Sequence, residues 1–593
     1  MTTSFPTATA PRSTLRGALL GTAVLAALAA SPALAQDAAT TTAPKVTIAT
    51  IAAVNSSIDE VTLRGILNGE IVPNSREVAA LDADSISIPT IVIESPTMAP
   101  NGEPATSVTI FRNVELVGIL NGVASSLTID SVSAEGPEMT AELGSISTGT
   151  FGVTALLAFF GVIDADDPEL FDTIYRDLAV GGGTLVSDGI TCNIGAYQSG
   201  ELYARPLRTS YADVVAAASE GNNPNPTPEQ VTAMLEVYAD VFSAFESGLS
   251  SSLQGLTCGG TGSEGNPLSV SVGQVNIGGM VRGTYPGFEM LDLAIEVTGG
   301  EDAGRVAFDD IIAGPIDFTA AIAFFEAAEK PVDQAWMQQN WRQLLPAPEG
   351  FRFGGVEVDV PSASGDAERT IFSVEDFQVR LLNYLNGLPT VAILGAEGLV
   401  VTLPDLGPDE LVGLLRAAGF KTLSLEFWLV TAWDETTEQI AIDEWYFRGA
   451  DLGSVLLTGI FGNATAALFD PDPLAMVAAF EALTVLEAHL QVEDRGLKDF
   501  VIAVVAGQQG ADPLTFKAQL AAIAKATLMQ MMGASDEVMA LSQAIGVFLG
   551  DGTKLTVDAV ATDPAGIGLA DFAGPEANPA AILDKMEVTA TAE

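Results

Sequence analysis

The predicted fold rests on a stretch that occurs twice, as GTFGVTALLAFF at residues 149–160 and as GPIDFTAAIAFF at residues 314–325. Six of the twelve positions are identical at an offset of 165 residues. Each copy follows a segment in which polar and apolar residues alternate, 141–147 or 305–311. Alternation is typical of a half-buried strand, so the pattern predicts a strand followed by a helix that packs back on the sheet. We therefore expect an internally duplicated α+β protein.

Further matches extend the predicted duplication. Tyr175-Arg176-Asp177-Leu178 parallels Trp341-Arg342-Gln343-Leu344 at an offset of 166 residues. A shorter repeat relates VTLRGILNG at residues 61–69 to VELVGILNG at residues 114–122, with seven of nine positions identical. Both copies end in Asn-Gly, which is the strongest two-residue signal for a β-hairpin. We expect two strand-turn units at these positions.

The predicted architecture consists of duplicated strand-rich units with covering helices, arranged as an elongated sheet or around a groove, and a C-terminal region richer in helix. The predicted organisation is a signal peptide at residues 1–35, a first α+β half at 36–262 and a second at 263–593. The boundary lies beside residues 258–267, where glycine, serine and proline are concentrated.

Capping signals predict several helices. Thr227-Pro228-Glu229-Gln230 has the sequence of a capping box with proline at the first helical position. Other predicted helices begin at Asp472, Asp512 and Asp536. Alternation predicts strands at 484–493, 554–559 and 586–592.

The first 35 residues have the features of a secretory signal peptide. Arg12 and Arg16 precede an apolar run at 17–30, and Ala33-Leu34-Ala35 is a small-residue cleavage site. We expect the mature chain to begin at Gln36 and to be periplasmic, with the extracellular medium or the cell surface as the alternative. No later run reaches the 18 apolar residues typical of a spanning helix, so we expect no transmembrane helix in the mature chain.

The chain has two cysteines, Cys192 and Cys258. In an oxidising compartment two exported cysteines usually pair, so we expect a disulfide between them. The alternatives are two buried free thiols, or a metal site that includes the distant His489.

Charge excludes one class of partner. Asp and Glu number 76 and Lys and Arg 25, for a formal net charge of −51. Nucleic-acid binding requires clustered basic residues that neutralise phosphates, so we expect no nucleic-acid partner. The acidic surface is best explained by solubility.

Catalytic and metal-binding signals are weak. The single histidine, His489, falls on the polar side of a predicted strand, between Glu487 and Gln491. The acidic runs at 164–167 and 470–473 lack the spacing of a calcium loop and are typical of helix caps. We assign no catalytic residue, metal or cofactor. Because two carboxylates suffice for glycoside hydrolysis, a carboxylate-dependent hydrolase stays an alternative.

Aromatic residues form three groups that would either pack in a core or line a groove for a sugar or lipid. The groups are Trp336 with Trp341, Trp428 with Trp433, and Trp445-Tyr446-Phe447.

The segment LQVEDRGL at residues 490–497 precedes an apolar helix that ends at Gln508-Gln509-Gly510. Together with the strand-helix repeats, it resembles a group of uncharacterised proteobacterial envelope proteins whose domains have no known function. The resemblance covers roughly the second half of the chain. It implies a periplasmic setting and no established activity, so no functional residues can be carried over.

The high apolar fraction, 48%, has no membrane helix to explain it. Either the core is large or apolar surface lines a groove that holds an apolar ligand. We therefore expect a non-enzymatic envelope protein that binds a hydrophobic, lipid-like ligand or an envelope protein. The alternatives are a secreted or surface structural protein and the carboxylate-dependent hydrolase.

Overall fold

A computed structural model describes residues 44–99, 101–163, 167–187, 189–209, 227–248, 250–261, 265–301, 303–362, 369–404, 410–533, 535–573 and 579–593. The chain divides into two compact units. The first lies within Met1–Asp188 and Gln198–Ser219, and the second within Gly189–Tyr197 and Glu220–Glu593. Strands account for 50% and helices for 25% of the structure. The predicted α+β class is therefore wrong, because the protein is mostly antiparallel β-sheet.

The first unit is built on three long strands, β3 to β5. Its strands are β1 (Lys45–Ile48), β2 (Ala52–Val54), β3 (Ala83–Met98), β4 (Pro104–Leu120), β5 (Val123–Glu135), β6 (Met139–Leu143), β7 (Ile146–Thr148), β8 (Thr150–Gly152), β9 (Asp172–Arg176), β10 (Leu178–Val180), β11 (Gly183–Ser187), the end of β12 (Ile190–Ser199), and β13 (Leu202–Ala204). Its helices are α1 (Glu60–Leu67), α2 (Ser75–Ala79) and α3 (Val153–Phe159), with a 3₁₀ turn at Val72–Asn74.

The core of the first unit lies on one face of these long strands. Ile88, Val114 and Ile129 are cross-strand partners on β3, β4 and β5, and all three are buried. The β4–β5 turn is formed by Asn121 and Gly122, whose φ angles of 49° and 71° are those of a type I′ hairpin. The Asn-Gly signal at this position is confirmed.

The second unit contains the longest run of antiparallel strands. Its strands are most of β12, β14 (Phe245–Ser247), β15 (Ser251–Thr261), β16 (Pro267–Val272), β17 (Gln274–Ile277), β18 (Thr284–Tyr285), β19 (Phe288–Val297), β20 (Gly304–Ala313), β21 (Ile316–Asp317), β22 (Ala347–Pro348), β23 (Gly350–Pro361), β24 (Arg369–Leu385), β25 (Leu388–Thr402), β26 (Thr422–Asp434), β27 (Gln439–Gly449), β28 (Gly453–Gly462), β29 (Thr484–Asp494), β30 (Lys554–Ala561), β31 (Ile567–Gly568) and β32 (Met586–Ala592). From β17 the pairing order is β17, β19, β20, β23 to β30 in sequence, and β32.

The helices of the second unit lie in the connections between these strands. They are α4 (Pro228–Ser243), α5 (Thr319–Glu326), α6 (Gln334–Asn340), α7 (Glu410–Ala417), α8 (Pro473–Glu481), α9 (Leu497–Gln508), α10 (Pro513–Met532), α11 (Asp536–Leu549), α12 (Leu569–Ala573) and α13 (Pro579–Leu583), with a 3₁₀ turn at Ala466–Phe469. Within the described residues, none of the helices is both long and apolar enough to cross a membrane.

The predicted helix-rich C-terminal region is wrong. Helices α9 to α11 do occupy residues 497–549, but they form one insertion between β29 and β30, which pair directly with each other. Capping signals identified the individual helices correctly, since Asp472 and Asp512 each accept a hydrogen bond at the N-cap. They carry no information about the sheet that continues on either side of the insertion.

The shorter predicted repeat is also wrong, because its two copies fold differently. Residues 114–122 form the end of β4 and its turn, whereas residues 60–67 form α1. Asp59 starts this helix by accepting a hydrogen bond from the Thr62 N–H at 2.8 Å, and Arg64 pairs with Glu60 one turn earlier. The helix cap and the ion pair within the helix therefore override the shared pattern.

The longer predicted repeat agrees only locally. Both copies contain a helix, α3 and α5, after a short strand. Downstream they diverge, since Asp172–Arg176 is a strand and Trp341–Leu344 follows α6 as a turn. The structure does not confirm a duplication.

Other local predictions are confirmed. Thr227 and Gln230 make both hydrogen bonds of the capping box that begins α4. The predicted strands at 484–493, 554–559 and 586–592 correspond to β29, β30 and β32.

Candidate apolar binding surface

Two adjacent rows of apolar side chains cross nine strands of the second unit, from β17 to β28. We call these rows the apolar lane. The first row is Val275, Met290, Ile311, Phe353, Phe377, Ala396, Phe427, Phe447 and Val455. The second row is Ile277, Phe288, Ala313, Phe351, Val379, Leu394, Leu429, Trp445 and Leu457.

The pairing register places both rows on one face of the sheet. Direct cross-strand partners project to the same side, and residues two apart on a strand share a face. Ring contacts agree with this assignment. The rings of Phe351 and Phe353 are 5.2 Å apart, and those of Phe353 and Phe377 are 6.2 Å apart and nearly parallel.

Four side chains of the apolar lane are exposed, and the other fourteen are half-buried. The exposed fraction is 36% for Ile277, 40% for Phe351, 41% for Trp445 and 43% for Phe447. Single exposed apolar residues are ordinary on protein surfaces, but a continuous strip of exposed and half-buried apolar side chains is typical of an interaction surface. The lane has no charged side chain, and the indole N–H of Trp445 is its only side-chain hydrogen-bond donor.

The opposite face of the same strands carries polar side chains on β17, β19, β23 and β24, whereas on β25 to β28 it carries Gly395, Trp428, Tyr446 and Leu456. Between the two rows lie Asn276, Glu289, Arg352 and Gln378. Arg352 donates to Asp376 at 2.6 Å and to Asp310 at 3.0 Å. The hydrogen bond to Asp376 is the main reason that the pKa of the Arg352 guanidinium is raised. From β20 to β24 the sheet is therefore amphipathic, with the ion pairs of Arg352 on one face and apolar side chains on the other.

Trp428 illustrates the division between the two faces. It pairs with Gly395 and Tyr446, which are the polar-face neighbours of lane residues. Its indole ring lies over Gly395, where a Cβ atom would come within 2.6 Å of the ring. Trp445, one strand away, lies in the lane. Two tryptophans on neighbouring strands thus lie on opposite faces of the sheet.

The rows continue through the half-buried Val492 and Leu490 on β29 and are closed by packing on β30. On β30 the first row reaches Leu555, which is 8% exposed. The second row reaches Val557, which packs against a buried cluster of Ile567, Met586 and Val588. Ile582 and Leu583 of α13 pack on the same cluster. The accessible lane therefore stops at the C-terminal strands.

The lane side of the sheet is also covered near the C-terminal end of β26. By alternation along β26, Trp433 is on the lane side. Its indole N–H donates to the Ala464 carbonyl at 2.6 Å, and its ring lies 4.8 Å from that of Phe469. Phe469 belongs to the 3₁₀ turn that follows β28.

The predicted aromatic groups are divided by the fold. Trp445 and Phe447 belong to the apolar lane, but Tyr446 and Trp428 lie on the polar face. Trp336 stacks on Phe324 with ring centroids 5.8 Å apart. Of the two Phe-Phe pairs, Phe325 is buried, and the rings of Phe159 and Phe160 contact each other edge-on.

The two cysteines lie close together, as expected. The sulfur atoms of Cys192 and Cys258 lie 2.15 Å apart, at the distance of a disulfide, on the paired strands β12 and β15.

His489 lies on the polar face of β29, paired with Asp558 on β30, and its Nδ1 contacts a carboxylate oxygen of that residue. The described residues contain no group of three or more side chains that could hold a metal ion. Of the acidic runs, 164–166 lies outside the described residues.

Most of the lane was missed by sequence analysis. Its local signal is the alternation Phe351-Arg352-Phe353, Phe377-Gln378-Val379 and Trp445-Tyr446-Phe447. Such alternation predicts an amphipathic strand, but it does not say which strands are neighbours. The continuous surface arises only from the register of nine strands.

Comparisons with known proteins give one partial match. A family model described only as an uncharacterised protein matches residues 446–593, from β27 to the C-terminus. No curated protein and no solved structure matches the chain. The matched segment includes β28 and the strands that close the lane, but little of the open part of the lane.

Proposed function

We propose that the protein is an exported envelope protein that binds the acyl chains of a lipid-like ligand along the apolar lane. The observation that carries the proposal is the pair of unbroken apolar rows across nine strands. The predicted signal peptide and the disulfide-distance cysteine pair support export to the periplasm.

The chemistry of the lane favours hydrocarbon over a protein surface as its partner. A protein interface typically has about one hydrogen bond per 100–200 Å² and a polar rim. The lane offers a single side-chain donor, at Trp445. A ligand without hydrogen-bonding groups along its length leaves no polar group unpaired when it covers these side chains.

Tryptophan fluorescence tests the proposal directly. Purified protein is titrated with a phosphatidylcholine whose acyl chains are brominated, because bromine quenches an indole that it contacts. We expect quenching that falls strongly in Trp445→Phe and little in Trp428→Phe. The second variant is the matched control, since Trp428 lies one strand away on the polar face.

Extraction of the purified protein with organic solvent, followed by mass spectrometry, provides an independent measurement. Co-purified lipid is the expected result. Equal loss of quenching in the two tryptophan variants, together with a lipid-free extract, would refute the proposal.

A further inference from the structure

We infer that the apolar lane is a track that holds acyl chains of at least two lipid molecules end to end. This inference rests on the proposed function and adds the number and arrangement of the bound chains.

The length of the lane is the first argument. Nine strands are separated by eight spacings of about 4.8 Å, which gives about 38 Å across the sheet. One leaflet of a bilayer, which an acyl chain spans, is half of the roughly 30 Å hydrocarbon core, or about 15 Å. A single chain would therefore cover less than half of the lane.

The uniformity of the lane is the second argument. A site for one chain needs a boundary that stops the ligand, such as a charged side chain or a packed wall. Between β17 and β28 every position of both rows is apolar. Exposed aromatic side chains occur at Phe351 on β23 and at Trp445 on β27, about 19 Å apart by four strand spacings. Both positions offer a chain the same apolar contact.

The two ends of the lane differ. On β30, two strands beyond β28, Leu555 is buried and Val557 packs against the cluster that includes Met586 and Val588. At β17, Ile277 stays 36% exposed. Chains that enter from the β17 side would therefore fill the lane up to the closed C-terminal end.

The test uses two reporters in the full mature chain. Trp445 reports on β27. The double variant Phe351→Trp/Trp445→Phe moves the reporter to β23 on the same face. Both proteins are saturated with brominated phosphatidylcholine, and the bound lipid is counted after extraction. We expect quenching of both reporters and two or more lipids per chain.

A charge at the middle of the lane separates the two reporters. Leu394 on β25 lies two strands from each reporter position. Leu394→Glu buries a carboxylate under any chain that crosses it, which is strongly unfavourable. We expect this change to abolish quenching at Trp445, to preserve it at Phe351→Trp, and to halve the bound lipid. Ile393→Glu is the matched control, because Ile393 is the neighbour of Leu394 on the same strand but lies on the opposite face of the sheet, beside Arg380.

The outcomes separate the track from the proposed function. One lipid per chain, with only one reporter quenched, would overturn the track and leave the proposed function standing. No quenching and no lipid would overturn both, as would a lipid-free dimer in which both reporters are shielded. If Leu394→Glu does not fold, the two reporters and the lipid count still decide the question.

Discussion

The β3–β5 sheet of the first unit and the apolar lane of the second unit are made of similar strands with different surroundings. In the first, Ile88 is 2% exposed and Ile129 is 3% exposed. In the second, Phe351 and Trp445 remain about 40% exposed. Both surfaces come from alternating apolar residues on long antiparallel strands. The difference shows that alternation determines which face is apolar, while tertiary packing determines whether that face is covered.

The comparison also bears on how each unit is stabilised. Burying apolar surface contributes roughly 25 cal/mol per Å², so a covered face stabilises folding and an open face does not. The open face keeps that free energy available for a ligand. Substitutions in the covered β3–β5 sheet should therefore lower the free energy of unfolding, whereas substitutions in the apolar lane should weaken ligand binding.

The largest expected effect is at the disulfide, which lies in the second unit. In the chain-entropy model, a bridge with a sequence separation of 66 residues contributes roughly 4 kcal/mol. Replacing Cys192 and Cys258 with alanine should lower the stability of the second unit by about that amount and leave the first unit unchanged. Hydrogen exchange, followed peptide by peptide, measures both units in one experiment.

The oxidation state is checked first by intact mass. The unreduced, denatured protein should take up no alkylating reagent. Addition of two alkyl groups would mean that both thiols are free. The alanine variant would then differ from the native protein only in side-chain packing, and the predicted loss of stability would not apply.

The next effect contrasts two isoleucines directly. Ile129→Ala in the covered sheet should cost about 3 kcal/mol, because it leaves a cavity in a packed core. Ile277→Ala in the lane should cost less than about 1 kcal/mol, since the side chain is already one-third exposed. Protection factors of the peptides that contain each residue provide the measurement. Similar costs at the two sites would show that the lane is covered.

How much of this could be predicted from the sequence depends on the range of the interaction. The Thr227 capping box, the Asn121-Gly122 hairpin and the β32 strand are local, and each was predicted from a few neighbouring residues. Residues 61–69 share seven positions with 114–122 but form a helix, because the Asp59 cap and the Glu60–Arg64 pair act where the pattern is ambiguous.

The lane depends on contacts far apart in sequence. Phe288 and Leu457 belong to the same row through six intervening strands, and no single segment contains that information. Long insertions add to the difficulty, since α9 to α11 separate the paired strands β29 and β30. A reader of the sequence can therefore find amphipathic strands but not the surface that they build.

Ligand affinity should depend on chain length if the lane binds hydrocarbon. Each buried methylene contributes at most about 0.8 kcal/mol, so two added carbons should strengthen binding by up to about 1.6 kcal/mol. Isothermal titration with fatty acids of about 12, 14 and 16 carbons measures this trend. An affinity that does not change with chain length would indicate that the head group, and not the lane, makes the contact.

The smallest expected effect is at His489, on the polar side of the sheet. Its side chain is 35% exposed and contacts Asp558 on the neighbouring strand. In His489→Gln, the glutamine amide can donate to the same carboxylate, so the cross-strand contact need not be lost. We expect a change in stability within about 0.5 kcal/mol, as for other surface positions, and unchanged quenching of Trp445. The imidazole lies on the face opposite the lane, so a ligand on the lane does not reach it. A loss of lipid binding at unchanged stability would show that the polar face takes part in recognition, and the division of the sheet into a binding face and a solvated face would then be wrong.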